Sequence, residues 1–438
     1  MSMNPELKRN LWLELTPHRL AGMPLVLFAI FFLAASLDKT EAAKAISGVS
    51  VVLFIALVVL WGTRQAAESV NEEVRDHTWD GQRMSSIGPW DMTWGKLLGS
   101  TVFPWYGGAI CLVAYVLSSM VAVERNPVET ALMMTLAGLF GQSVAMLASL
   151  QAVRKDRKYN KSNAAGIFIL GVGLTWPIIS FALNASVMFK WYGIEFESLS
   201  FTTMSLAVFL AWAVTGVYRL MRTELQMKNG PYVWLAFVCF VSMYVAGFGW
   251  ADNEGHELFN MTTLAASTAT LAVYLMAFSE RKDPVSFRRL VIAYGRRDWH
   301  RTLQELPCWA VALPVVAAAS VCVMLTSGPQ AMDGVPQTSF SMLVLASMLF
   351  VVRDLSLILY FNFAKNPKRA DMLMALCLFL FYGILPGIMS GMDIDVLAAL
   401  FWPRGDSLAF LSVAAAFAEA AVAGSLVLKR WQGIYGTA

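Results

Sequence analysis

The sequence predicts an all-α polytopic membrane protein of about twelve spans, and three observations carry that expectation. Hydrophobic residues make up 57% of the 438 and charged ones only 14%, against roughly 25% charged in an average soluble domain. Apolar runs of about 17 to 23 residues recur from end to end, each long enough at 1.5 Å rise per residue to cross a hydrocarbon core of about 30 Å. Lysine and arginine crowd into alternate connections, as they do where basic residues near span ends resist translocation.

Taken in chain order, residues 1–20 read as an interfacial amphipathic helix. Asn4 and Pro5 form a helix start, a capping side chain followed by the residue suited to the first turn. Leu7, Leu11 and Leu15 share a face, Lys8, Arg9 and Glu14 lie off it, and Trp12 suits headgroup level. No small-residue cleavage site follows, so the first apolar run is expected to stay in the mature protein.

Six spans are expected near Ala21 to Leu37, Ala45 to Gly62, Leu98 to Met120, Thr130 to Ala152, Ala164 to Asn184 and Phe201 to Tyr218. Six more follow near Tyr232 to Trp250, Met261 to Phe278, Leu306 to Thr326, Phe340 to Phe361, Met372 to Met389 and Leu408 to Leu428. With the amino terminus inside, the cytoplasmic segments hold 27 of the 33 Lys and Arg residues and the outer loops 5, the last being Arg353 inside a span. The expected location is the cytoplasmic (inner) membrane, with both termini cytoplasmic.

Shifting the second six spans back by roughly 208 residues aligns loops of like character. The basic turn Arg154, Lys155, Arg157, Lys158 then matches Lys365, Lys368, Arg369, each leading to a span interrupted by Pro177 or Pro386. The chain therefore reads as two parallel six-helix repeats, 21–225 and 226–438, whose long charged loops are 64–97 and 279–305.

The first of these loops carries the most specific signal. From Glu72 to Gly99 the chain offers paired acids, a polar helix, a turn and a return to apolar sequence, far longer than the 2 to 8 residues that usually join neighbouring helices. Its features are Glu72 and Glu73, Thr78, Ser85 with Pro89, and Gly95-Lys96 before Leu97. In this the chain resembles the permease (membrane) subunits of type-2 class ATP-binding-cassette exporters, whose loop has paired acids, a threonine, a serine and proline turn, then Gly-Lys-Leu. The family's usual Gly-Thr is His77-Thr78 here, and in the second half the resemblance thins to Glu280 through Asp283 and Glu305-Leu306-Pro307.

The resemblance implies a transport subunit without enzymatic activity of its own. It would couple ATP hydrolysis by a separate ABC-type ATPase, two copies for two loops, to substrate movement between the six-helix halves. Glu72, Glu73, Thr78, Ser85, Pro89, Gly95 and Lys96 would then form the ATPase-coupling segment. ATP and magnesium would sit on the partner, with no cofactor in this chain and no nucleic acid among its partners, which otherwise are the lipid bilayer and an unknown substrate.

The residues are consistent with that division of labour. The nearest approach to a phosphate loop is Gly88 to Gly95-Lys96, where six residues intervene instead of four and Leu97 replaces the magnesium-holding hydroxyl. The four histidines fall in four segments without zinc spacing, and the five cysteines sit in apolar runs without CxxC spacing, so neither catalytic residues nor a metal site are expected.

Charges within spans are expensive and face a protein interior or a wet cavity. Arg353 and Asp354 in the tenth span and Glu419 in the twelfth stand out, at depths agreeing within about 3 Å. They line a substrate route or form an internal ion pair. Gln142 and Asn184 are weaker cavity candidates, and a secondary transporter driven through these charges, or a non-transporting membrane partner, are the competing readings.

Overall fold

The computed structural model describes residues 4–84, 87–123, 126–155, 161–183, 188–250, 256–327, 337–364, 369–392 and 394–435. Ser85, Asn184, Arg157, Lys158, Lys365 and Lys368 lie outside the described residues. Among those described, eleven helices are long and apolar enough to cross a membrane. With almost no sheet beside them, the chain fits an all-α polytopic membrane protein.

The chain divides into two compact units, Met1–Phe189 with Glu195–Asn229, and Lys190–Ile194 with Gly230–Ala438. The first unit begins with α1 (Pro5–Glu14), where the Asn4 side chain accepts from the Glu6 and Leu7 amides at 3.0 and 3.3 Å and Pro5 opens the first turn. Next come α2 (Pro17–Leu37) and α3 (Ala42–Phe54), which continues without a break through a π-helical stretch, Ile55–Gly62, into α4 (Thr63–Arg75). Two short helices follow, α5 (Trp79–Arg83) and α6 (Pro89–Gly99), then α7 (Val102–Val121), α8 (Pro127–Lys155) and α9 (Lys161–Leu183). A small hairpin of β1 (Met188–Trp191) and β2 (Ile194–Glu197), whose tip Lys190–Ile194 is counted with the second unit, precedes α10 (Ser198–Glu224).

Three boundaries differ from the sequence reading. The first span starts at Pro17, because a proline there serves as well for the first turn as it does in α1. The second span runs on as helix to Arg75, so the polar residues from Arg64 onward extend a span instead of starting a loop. Gly95-Lys96-Leu97 lie in α6, and the third span starts at Val102 after a break at Ser100 and Thr101. The fifth expected span corresponds to α9, whose described apolar stretch is Ile169–Ala182.

Close approach in the first unit depends on small residues and one inserted amide. A side chain on Gly171 would meet Thr63, Ala145 and the Gly141 carbonyl, so α4, α8 and α9 touch almost backbone to backbone. Fully buried Gln142 donates from Nε2 to the Val58 carbonyl at 3.1 Å and accepts from Trp105 Nε1 at 2.9 Å. This amide reaches into the backbone ladder where α3 becomes π-helical, one of the recognised causes of such irregularity. Gln142 is therefore a packing residue, which corrects the cavity role expected of it.

The second unit contains α11 (Tyr232–Ala246), α12 (Glu257–Ser279), α13 (Pro284–Gly295), α14 (Trp299–Glu305) and α15 (Cys308–Thr326). It continues with α16 (Gln337–Asn362), α17 (Ala370–Phe379), a π-helical turn Leu380–Ile384, α18 (Leu385–Gly391), α19 (Asp395–Phe401) and α20 (Ala409–Tyr435). Helices α12 and α15 pack together, as do α16 and α20. The α20 face turned inward is a row of small residues, Ser412, Ala416, Ala420 and Ala423, which lets α16 come close. Pro177 sits within an unbroken α9, whereas Pro386 follows the π-helical turn, so the two prolines do different things to their helices.

Candidate functional site

The Glu72–Gly99 segment is a compact, stapled structure. Glu73, near the end of α4, accepts from Arg9 Nη2 at 2.9 Å, from Gln82 Nε2 at 2.6 Å and from Lys96 Nζ. Lys96 is only 2% exposed, lies 3.5 Å from Glu6 Oε1, and rests over the ring of buried Trp79 at 5.2 Å. Glu6 in turn pairs with Arg9 at 2.8 Å. Two acids and two bases thus close a neutral network joining α1, α4 and α6, the arrangement that offsets the cost of burying charge.

Glycines make this junction possible. A Cβ on Gly95 would stand 2.7 Å from Glu6 Cβ and 2.9 Å from Asn4 Oδ1, and one on Gly99 would stand 2.6 Å from Asn10 Nδ2. One turn apart on α6, the two form a groove that seats α1, with Asn4 Nδ2 donating to the Asp91 carbonyl at 2.6 Å. The amino-terminal helix is thereby tied to the loop. The available signals were Glu6 and Arg9 one turn apart and Gly95 and Gly99 at a spacing of four.

A second staple holds α5. Arg83 Nε donates to the Glu224 carbonyl at 2.8 Å, and buried Glu224 also approaches Arg83 at 3.8 Å and Arg154 at 4.0 Å. What stays exposed is the tip: Arg75, Asp76, His77, Thr78, Asp80, Gly81 and Met84. His77 ends α4 in the left-handed region, φ 57°, with the Thr78 amide returning to the Glu73 carbonyl at 3.0 Å. That position favours glycine, so the histidine here occupies a site where Gly-Thr would be less strained.

The residues singled out from sequence therefore separate into two groups. Glu72 and Thr78 are exposed at or beside the tip, while Glu73, Gly95 and Lys96 are engaged inside the junction. Pro89 opens the first turn of α6.

Within the second unit's spans, Arg353 Nη1 meets Glu419 Oε2 at 2.6 Å and Nε meets Asp354 Oδ1 at 2.8 Å. Its Nη2 lies 2.8 Å from the same Oδ1 in ion-pair contact but without hydrogen-bond alignment. Asp354 Oδ2 accepts from the hydroxyls of Tyr274 and Tyr382, both at 2.6 Å. The guanidinium sits against the rings of Phe350, Phe381 and Tyr382, at 4.5 to 5.4 Å. Both members of the Arg353–Asp354 pair are buried, and the Glu419 side chain keeps 31% exposure at the edge of the α20 small-residue face. Tyr274 and Tyr382 are participants that sequence reasoning missed, since nothing in their own segments marks them.

Compared with protein-family models, curated proteins and solved structures, the chain matches none. Its functional reading therefore stands on these geometries and on the loop resemblance. Among the described residues no group of three or more His, Cys, Asp or Glu is placed to hold a metal ion.

Proposed function

We propose that this chain is the permease subunit of an ATP-driven export system in a cytoplasmic membrane, driven by a separate ABC-type ATPase that carries the nucleotide and magnesium. The single observation that carries the reading is the uninterrupted helix Ala42–Arg75, 34 residues long. At 1.5 Å per residue it extends about 50 Å, some 20 Å more than a hydrocarbon core needs. A push on the tip around Thr78 passes through the left-handed turn at His77, which the Thr78 amide ties back to the Glu73 carbonyl, and then along continuous helix from Arg75 into the span. The α1 junction and the Glu224 staple stiffen the same lever from both sides. Rigid transmission of that kind suits an ATPase that closes on the tip.

The two long loops close their first helix with the same left-handed cap, a general one that also ends α10 at Gln226. Arg296 N bonds to Ile292 O, Arg297 N to Tyr294 O and Asp298 N to Ala293 O, the pattern that Asp76, His77 and Thr78 make to Glu72, Val74 and Glu73. Arg297 takes φ 57° as His77 does, and each loop continues two residues later with a tryptophan, Trp79 or Trp299, opening a short helix. Registered on this motif the offset is 220, longer than the 208 that aligns the spans. Both termini on the cytoplasmic side follow from the Lys and Arg bias.

The intramembrane cluster favours a structural role within this scheme, because Asp354 already accepts from three groups and Arg353 already pairs with two acids. A secondary transporter would need such a group released and re-engaged in each cycle. The test is to purify the tagged chain from its native membranes and assay vanadate-sensitive ATP hydrolysis in the preparation. Activity that vanishes when 75–80 is scrambled supports the reading. Cysteine labelling that puts Thr78 on the outer face of the membrane overturns it.

A further inference from the structure

The α13–α14 hairpin is built differently from its counterpart in the first unit, and the difference concerns what covers it. In the first loop Trp79 is 5% exposed, shielded with Lys96 beneath α1. Among the described residues no such helix covers the second: Trp299 is 60% exposed, and Val285, Val291, Ile292 and Tyr294 are exposed beside it. Among these apolar groups stand the exposed arginines 281, 288, 289, 296, 297 and 301.

Charge separates the two loops as well. Residues 64–97 carry six acids and four bases, whereas 279–305 carry four acids and seven bases. The acids of the second loop are occupied at home. Both oxygens of Glu280 accept from the Cys308 amide, Asp283 and Asp298 cap their own helices, and Glu305 lies 3.6 Å from Arg289. Arg281, Arg296 and Arg297 have no carboxylate partner among the described residues.

The hairpin also lies at a defined level. Its inner face rests on residues at the ends of spans: Phe287 against Phe363 just beyond α16, Arg288 over Tyr435 at the end of α20, and Lys282 on Asp371 at the start of α17. It joins α12 to α15, which pack side by side, so both of its ends return to the same surface. An exposed tryptophan, short aliphatic groups and unpaired arginines at the level where spans end match the boundary between acyl chains and headgroups, where arginine stems lie along apolar surface and their charges meet phosphate.

We propose that the α13–α14 hairpin is an anionic-lipid-binding element, seated in the bilayer interface through Trp299 and the α13 aliphatic residues and held there by Arg281, Arg296 and Arg297 against acidic phospholipid headgroups. It needs the chain to span a membrane but not the ATPase reading, and it gives the two loops different partners.

The test uses the full chain in nanodiscs of phosphatidylcholine containing an equal mole fraction of either acyl-brominated phosphatidylglycerol or acyl-brominated phosphatidylcholine. Bromine quenches nearby tryptophans, and subtracting the Trp299→Phe signal from wild type isolates Trp299. Trp299 is expected to be quenched by both lipids and more strongly by the anionic one. High salt should shrink that preference by screening. Arg296→Glu with Arg297→Glu should abolish the preference, with each arginine contributing on the order of fivefold in local enrichment. Quenching by brominated phosphatidylcholine should persist in that variant, which also reports that the hairpin is still folded in place. No quenching of Trp299 by either lipid, as a protein partner on this face would produce, overturns the proposal. Equal quenching by both lipids at low salt overturns it too.

Discussion

Replacing Lys96 with methionine removes the one buried cation of the α1–α4–α6 junction while nearly keeping its volume. Glu6 and Glu73 are then left facing each other with only Arg9 between them, and the site changes from neutral to a net charge of minus one. Breaking a buried pair commonly costs 3–5 kcal/mol, chiefly through the uncompensated charge. Arg9 is 45% exposed and Glu73 retains 13%, so water offsets part of that, and about 2–3 kcal/mol is expected here. At about 2–4 °C per kcal/mol for a unit of this size, the melting midpoint in detergent should fall by roughly 5–10 °C. Protease cleavage between Glu14 and Arg19 should quicken as α1 comes loose.

Pairing Lys96→Met with Glu73→Gln restores neutrality, leaving Glu6 with Arg9. The double variant should therefore be more stable than Lys96→Met alone, with a coupling of about 1–3 kcal/mol between the two sites. Equal midpoints for the double variant and Lys96→Met would show that the junction gains nothing from charge balance, and the account of α1 as an ionic clamp would fail.

Four further outcomes follow from the geometry. His77→Gly should raise thermal stability by about 1 kcal/mol, because it relieves the left-handed backbone, and His77→Val should lower it. Gly95→Leu should eject α1, since its Cβ alone would meet Glu6 Cβ at 2.7 Å, and faster proteolysis at Glu14–Arg19 reads the release. Arg353→Ala should cost about 3–5 kcal/mol and depress yield, because it leaves Asp354 and Glu419 uncompensated, whereas Glu419→Gln leaves the Arg353–Asp354 pair neutral and should cost less. Near the end of the second unit, burial pushes Asp406 upward, but the Leu408 amide and Arg404 outweigh it and hold its carboxyl below the ordinary 3.8. Its stabilisation is complete above that ordinary value and disappears as pH falls through the depressed folded one, so the stability gap between wild type and Asp406→Asn should close only in strong acid.

The sequence by itself determined which segments form helices long and apolar enough to cross lipid, because a lipid solvent imposes one requirement on every span, about twenty apolar residues, and that requirement is local. It also determined the helix starts at Asn4-Pro5 and Asp283-Pro284, where capping side chain and proline act within one turn. Depth along a span was legible too, since rise per residue is fixed, and so Arg353 and Glu419 could be placed at one level. That they meet required α16 and α20 to be neighbours, which the row of small residues on α20 made possible but which only packing decided.

The loop shows the limit most clearly. Glu73, Gly95 and Lys96 look like surface chemistry in a polar segment, and nothing local reveals that a helix some sixty to ninety residues earlier lies over them. Whether a charge is buried depends on what covers it. Coverage is a long-range property, and so tertiary structure alone turned Lys96 into a clamp and left Trp299 bare.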